Sequence, residues 1–240
     1  MAMSEQSLER QRDHLQLQYN EIASLAGGLA HEIRNPLSTI RLNLDLLSED
    51  LVQLAVDPTH RAHRKLERIR LECEHLEEIL NSFLEFARAG ELHLEEVDLA
   101  EFVRKFLEFF KAEAEQAKIE LRPHLAGSLP KVRLDPRLFR HVLSNLFKNA
   151  MQAMPNGGLI ELQLYRKGDT VSLEVVDTGT GIAPGAVEKI FQVFFSTKPG
   201  GSGLGLPTVR KIVEAHQGTI TCESEVGRGT KFAIHLPVLT

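Results

Sequence analysis

Apolar side chains recur in alternating steps of three and four over the first third of the chain, and this spacing limits most severely what that segment can fold into. Leu8, Leu15, Ile22 and Leu29 lie seven apart, with Tyr19, Ala26 and Ile33 in the alternate slots, so residues 8 to 88 read as coiled-coil-like helix. Arg12 is the one seam slot that breaks the pattern. From Leu37 the seam resumes through Ile40, Leu44, Leu47, Leu51 and Leu54, but two consecutive steps of four place a stutter at Asn35 and Pro36. After "VDPT", where Asp57 can cap and Pro58 can open a helix, a second seam runs through Leu66, Ile69, Cys73, Leu76, Leu80, Phe83 and Ala87. One hairpin cannot cover both stripes; a dimer forming a four-helix bundle can.

Past residue 90 the period changes. "LHLEEV" and "KIELRP" read as strands around a helix, "DLAEFVRKFLEFFKAEAEQAK", capped by Asp98; "KVRL" is a short strand, and Asp135-Pro136 opens a helix running to about Met154. "LIELQLYR", "KGD" and "TVSLEVVD" form a hairpin, a helix spans about Leu206 to His216, and "GTITCESEV", "GRG" and "TKFAIHLP" close the chain as a second hairpin. The fold class expected is therefore a helical hairpin forming a dimeric four-helix bundle, followed by an α/β sandwich with its glycines gathered between Gly179 and Gly205. The hinge falls at "ARAGELH", which sets domain limits of 1–20 for a coiled-coil extension, 21–90 for the hairpin and 95–240 for the sandwich.

Composition excludes some classes. A net charge of -5 argues against a molecule-wide nucleic-acid surface, and the basic run His60 to Arg70 reads as a solvated helix face. No run of about 18 uncharged apolar residues is present, and the N-terminus lacks a secretory core. Cys73 and Cys222 lack metal spacing and suit a reducing compartment. A soluble, cytoplasmic chain with no membrane segment is expected, in a parent protein that could itself be membrane-anchored.

Within the first helix, "HEIRNP" sets His31, Glu32, Asn35 and Pro36 together. At about 100° per residue, His31 lies roughly 180° from the seam, and Asn35 shares its exposed face. A neutral imidazole is a competent nucleophile near pH 7, and an adjacent carboxylate such as Glu32 can accept its proton. On spacing alone, a surface or hydrogen-bonded core histidine and a surface glutamate are the better account.

"HEIRNP" resembles the phospho-acceptor box of bacterial two-component sensor histidine kinases, and residues 20 to 90 resemble that family's dimerisation and phosphotransfer hairpin. The resemblance implies that His31 is phosphorylated, that Glu32 assists as base, and that Asn35 positions a water when the phosphorylated regulator is dephosphorylated. Neither a G-x-x-x-x-G-K-[ST] loop nor the H-R-D and D-F-G pair of protein kinases occurs. Four segments instead resemble the ATP-binding superfamily shared by histidine kinases, gyrase, a mismatch-repair protein and a heat-shock chaperone.

In "NLFKNAMQA" the resemblance makes Asn149 the magnesium ligand and Asn145 a nearby phosphate or metal contact, with Gln152 departing from a lysine often found there. "DTGTGI" supplies Asp177 for the adenine amino group and Gly179 and Gly181 for the turn; a Rossmann reading fails on glycine spacing. "IFQVFFSTK" resembles the phenylalanine box, with Phe191, Phe194 and Phe195, leading into an ATP lid in which Lys198 contacts phosphate. "GGSGLGL" offers backbone N–H groups of Gly201, Gly203 and Gly205 at a helix start, and Thr230 in the last hairpin joins a water network with the aspartate.

The resemblance covers about residues 20 to 240. It implies a protein-histidine kinase with ATP and Mg2+ as cofactors, working as a homodimer: autophosphorylation of His31, transfer to an aspartate on a response regulator receiver domain, and phosphatase activity toward that regulator. The competing expectation is an ATP-gated dimeric scaffold that does not phosphorylate itself.

Overall fold

The computed structural model describes residues 28–30, 32–47, 58–88, 92–198 and 201–239. Two compact units divide between Ala87 and Arg88. The seam before residue 28, His31 and the centre of the expected hinge lie outside the described residues.

In the first unit, α1 (residues 28–30 and 32–47) and α2 (Pro58–Arg88) are helical, as the seams predict. Helix α1 runs through Pro36, which has no N–H to donate, and the Ser38 and Thr39 hydroxyls donate to the carbonyls of Arg34 (2.8 Å) and Asn35 (3.3 Å) beside it. Lys65 Nζ donates to the Leu46 carbonyl at 2.7 Å, linking the two helices. Ile40, Leu47, Ile69, Leu76 and Phe83 are half-buried. Leu37, Leu44, Leu66 and Leu80, on the same seams, stay 50%, 49%, 51% and 48% exposed, so one hairpin leaves its stripes open. Cys73 is exposed on that seam too.

In the second unit, β1 (Glu95–Val97) pairs antiparallel with β3 (Val132–Leu134). Strand β1 is shorter than "LHLEEV" suggests, because its partner has only three residues to offer. The main sheet has the order β2-β4-β5-β7-β6, made of β2 (Ile119–Leu125), β4 (Gly158–Lys167), β5 (Thr170–Asp177), β6 (Thr219–Glu225) and β7 (Gly229–Pro237). Strands β2 and β4 are parallel and the other pairs antiparallel, so the chain between β2 and β4 must return by a crossover, which α4 (Pro136–Ala153) supplies. Helices α3 (Leu99–Gln116), α4 and α6 (Gly205–Ala215) complete the core; the four-residue α5 (Pro184–Val187) is an addition the periodicity did not signal.

Alternation along the strands sends one face inward. Leu162, Val175 and Phe232 form one cross-strand row, and Leu164, Leu173 and Ile234 the next. Phe147 of α4 meets Phe106 and Phe110 of α3 edge-on at 5.0 and 4.9 Å. Asp98 caps α3 by accepting the Glu101 N–H.

One buried polar pair joins these layers. Asp135, with no exposed surface, accepts the backbone N–H of Arg137 (2.9 Å), Leu138 (3.3 Å) and, from the linker side, His93 (2.9 Å). Its own N–H donates to His216 Nε2 at 2.8 Å, and His216 Nδ1 donates to the Ile212 carbonyl at 2.7 Å, which defines the neutral tautomer. Burial pulls the His216 pKa below its ordinary value of 6.5, against smaller upward pulls from the Ile212 carbonyl and the Asp135 charge. Among the described residues no helix is long and apolar enough to cross a membrane.

A depressed histidine pKa means that the folded state binds fewer protons than the unfolded one. The stability this gives is complete above 6.5 and is lost as the pH falls toward the folded-state pKa. The melting temperature of the chain should therefore fall between about pH 7 and pH 5, with His216→Gln flattening that slope; an unchanged slope in the variant would assign the acid sensitivity elsewhere.

Candidate functional site

Helix α4 buries Phe139, Val142, Leu143, Leu146, Phe147 and Ala150 in the core and turns Asn145, Asn149 and Gln152 away from it. The spacings of four and three place these amides on one side of the helix. Asn145 Nδ2 donates to the His141 carbonyl at 3.0 Å, which leaves Oδ1 against the start of α6. A Cβ at Gly205 would lie 2.7 Å from that oxygen, so the close approach needs glycine. Helix α6 has no side-chain cap, and Pro207 carries no N–H. Among the described residues the N–H groups of Gly205 and Leu206 thus have no capping side chain, and they stand at the positive end of the helix.

Asp177 ends β5 with only 6% exposure. Its Oδ1 accepts the Gly179 N–H at 2.8 Å, and the Thr230 backbone N–H also donates to the carboxylate. Burial nonetheless pushes its pKa above the ordinary value, outweighing those two donors and the Lys198 charge. A further donor, such as a ligand amino group, would offset part of the cost of burying this charge. The Thr230 hydroxyl meets Ser224 Oγ at 3.0 Å, and Ser224 Oγ also donates to the Gly229 carbonyl (2.9 Å) and accepts the Ile182 N–H (2.8 Å). Ser224 therefore ties the glycine turn to the last hairpin, a role that no spacing in the sequence announced. Burial, then the charges of Asp177 and Glu223, push the nearby Cys222 thiol up to about 12, which keeps it protonated and inert.

Lys198 comes to the same place from the other side. Its ammonium donates to Asn149 Oδ1 at 2.9 Å and to Gln152 Oε1 at 2.7 Å. Ser196 Oγ holds the preceding turn by donating to the Lys198 carbonyl and accepting the Lys198 N–H, both at 3.1 Å. The Phe194 N–H to Gly203 carbonyl bond, 3.0 Å, closes the neck of this segment, and the Gly201 N–H is already engaged with the Lys198 carbonyl at 3.2 Å. Phe191 packs edge-on to Phe232 at 6.5 Å and under Arg210, whose guanidinium lies 5.7 Å from the ring centre.

Asn145, Asn149, Asp177, Gly179, Lys198, Gly205 and Thr230 are thus gathered in three adjoining contacts, with Lys198 feeling the Asp177 charge. Glu32, half-buried, and Asn35, exposed, belong to the first unit. For a hard cation, the amide oxygen of Asn149 is a fitting donor, since it already accepts from an ammonium.

Comparison with known proteins points one way. Residues 21–92 match the His Kinase A (phospho-acceptor) domain, and residues 134–240 match the histidine kinase-, DNA gyrase B- and HSP90-like ATPase family. Sensor histidine kinase ZraS of Escherichia coli is 36% identical over 217 residues, covering 90% of this chain and 46% of that protein. The chain therefore spans about half the length of that curated relative. ShkA, solved full-length with AMPPNP, is 29% identical at a TM-score of 0.63, over 92% of this chain and 46% of that one. The catalytic domain of histidine kinase ThkA is 30% identical at a TM-score of 0.56, covering 61% of this chain and 98% of that domain. ThkA solved in complex with the response regulator protein TrrA is 27% identical at a TM-score of 0.72, over 96% of this chain and 65% of that one.

Gly181 has φ +70, and a Cβ there would lie 2.1 Å from the Glu225 carbonyl oxygen, part of the backbone. Gly181→Ala should therefore cost at least about 1–3 kcal/mol of stability, read by thermal or urea unfolding. Gly185→Ala, with open space around the added carbon, should change little in the same assay.

Proposed function

Because this chain belongs to the two-component sensor histidine kinases, we propose that it is the kinase core: it binds ATP in the second unit, phosphorylates His31, and passes the phosphoryl group to an aspartate in a response regulator receiver domain. The phosphotransfer hairpin comprises residues 21–90 and the catalytic domain residues 95–240. The observation that supports this reading is the carboxylate of Asp177, buried at the head of the glycine turn and accepting the Gly179 N–H. An adenine amino group donates to such a carboxylate, whereas a guanine carbonyl in the same place would be repelled.

In this mechanism the phosphates lie at the uncapped N–H groups of α6 and at Lys198, with Asn145 beside the helix start. Magnesium on Asn149 would neutralise phosphate charge. A ring nitrogen of His31 attacks the γ-phosphorus while the bond to the β,γ-bridging oxygen breaks, and ADP leaves with that electron pair. Glu32 takes the proton from the other ring nitrogen. Catalysis is chiefly positioning and charge neutralisation, so the two units must meet during the cycle. In this reading Asn35, which is exposed on α1, orients a water for regulator dephosphorylation.

The test is incubation with γ-labelled ATP. Wild type should acquire label that is lost in acid and kept in base, and His31→Gln should acquire none; label on the variant would place the acceptor elsewhere. Asp177→Asn should weaken ATP binding at least about tenfold while leaving the melting temperature within a few degrees, because it replaces a charged acceptor that is already hard to bury.

The open seam leucines of the hairpin support a homodimer. Replacing Leu66 and Leu80, both about half exposed in a single chain, with Asp should shift the mass in analytical ultracentrifugation from dimer toward monomer. An unchanged dimer would mean that another surface holds it.

A further inference from the structure

Gln152 is an exposed residue near the end of α4, in a position where a glutamine ordinarily meets only water. Its amide oxygen instead takes the shortest hydrogen bond that Lys198 makes, 2.7 Å, across 46 positions of sequence. Asn149, one turn earlier, shares the same ammonium at 2.9 Å. Both acceptors are neutral, so they orient the ammonium without cancelling its charge. The ammonium is also half-buried, with less water around it than a surface lysine has. A cation oriented by uncharged oxygens, half withdrawn from water and with no carboxylate among the described residues in hydrogen-bond contact, gains most from an anion placed against it.

The two acceptors cannot keep the same role once a nucleotide binds. In the reading above, Asn149 Oδ1 becomes a magnesium ligand, and an ammonium and a divalent cation repel each other at one oxygen. Gln152 is then the acceptor that remains to Lys198. It lies three residues further along the helix, about one turn from Asn149 and on the same side of α4.

We propose that Gln152 is a positioning residue for phosphoryl transfer: its amide oxygen holds the Lys198 ammonium beside the terminal phosphates while Asn149 is given over to the metal. The pair works as one unit assembled from two distant segments, with Gln152 supplying the place and Lys198 the charge. A lysine at position 152 would bring an ammonium to the same spot from the helix side, so the function belongs to the location of the charge rather than to the residue that carries it. This inference rests on the ATP reading and deepens it.

The experiment measures equilibrium binding of a non-hydrolysable ATP analogue and of adenosine, in the presence of magnesium, by the full chain and four variants. Gln152→Ala and Lys198→Met should each weaken the triphosphate analogue about tenfold, the size of one charge-assisted hydrogen bond, with adenosine affinity unchanged. The double variant should be about tenfold weaker, not about a hundredfold, because either change already dissolves the pair. Gln152→Lys in the Lys198→Met background should restore most of the loss.

Multiplied losses in the double variant, a Gln152→Ala indistinguishable from wild type, no recovery by Gln152→Lys, or an equal loss of adenosine would each overturn the proposal. If wild type itself bound no triphosphate analogue, the ATP reading would fall, a result distinguishable from all of these.

Discussion

The carboxylate of Asp135 holds the second unit together at the point where its layers meet. It terminates the orphan N–H groups at the start of α4, receives an N–H from the linker at His93, and stands next to a main-chain bond onto His216 at the end of α6. Burial alone would raise its pKa, but the N–H of His93, the Arg137 side chain and the first-turn N–H groups of α4 outweigh that and hold it low. It stays ionised because it is fully supplied with donors. Everything the site needs from α4 and α6 depends on this junction, since Asn145, Asn149 and Gln152 project from one helix and the uncapped N–H groups from the start of the other.

The contrast with Asp177 is instructive. Both aspartates are buried, yet one pKa is depressed and the other raised. Burial raises both, but four hydrogen bonds from His93, Arg137 and Leu138 outweigh it at Asp135, whereas at Asp177 burial wins over the Gly179 and Thr230 N–H groups and the Lys198 charge. Two buried residues of the same type are thus held differently, one by a full set of donors and the other by fewer donors against a larger burial cost.

The hairpin follows a different logic. Its seams remain half open in a single chain, and the leucines left on them have no polar compensation. Asn43, by contrast, is buried on α1 with its Nδ2 donating to the Thr39 carbonyl at 2.8 Å, so a polar residue sits inside while apolar ones sit outside. That inversion suits a helix with a second neighbour to come, whereas an isolated hairpin would bury its leucines first.

Much of this was legible beforehand because it is local. The heptad steps, the Asp98 and Asp135 caps, Pro136, the two hairpins and the glycine turn after Asp177 each act within a few residues, and composition and spacing alone set their type and order. The periodicity gave no sign of the short α5, the sheet order with its parallel β2–β4 pair, Ser224 and Ser196 as ties, or the engagement of the Gly201 N–H. His216 and Asp135 are 81 positions apart, and Lys198 and Asn149 are 49 apart. No local rule reaches across such separations. The residue types able to bind a nucleotide were therefore written in the chain, while the oxygen each cation meets, and the carboxylate at which burial outweighs its donors, were decided only when packing brought distant segments within hydrogen-bonding distance.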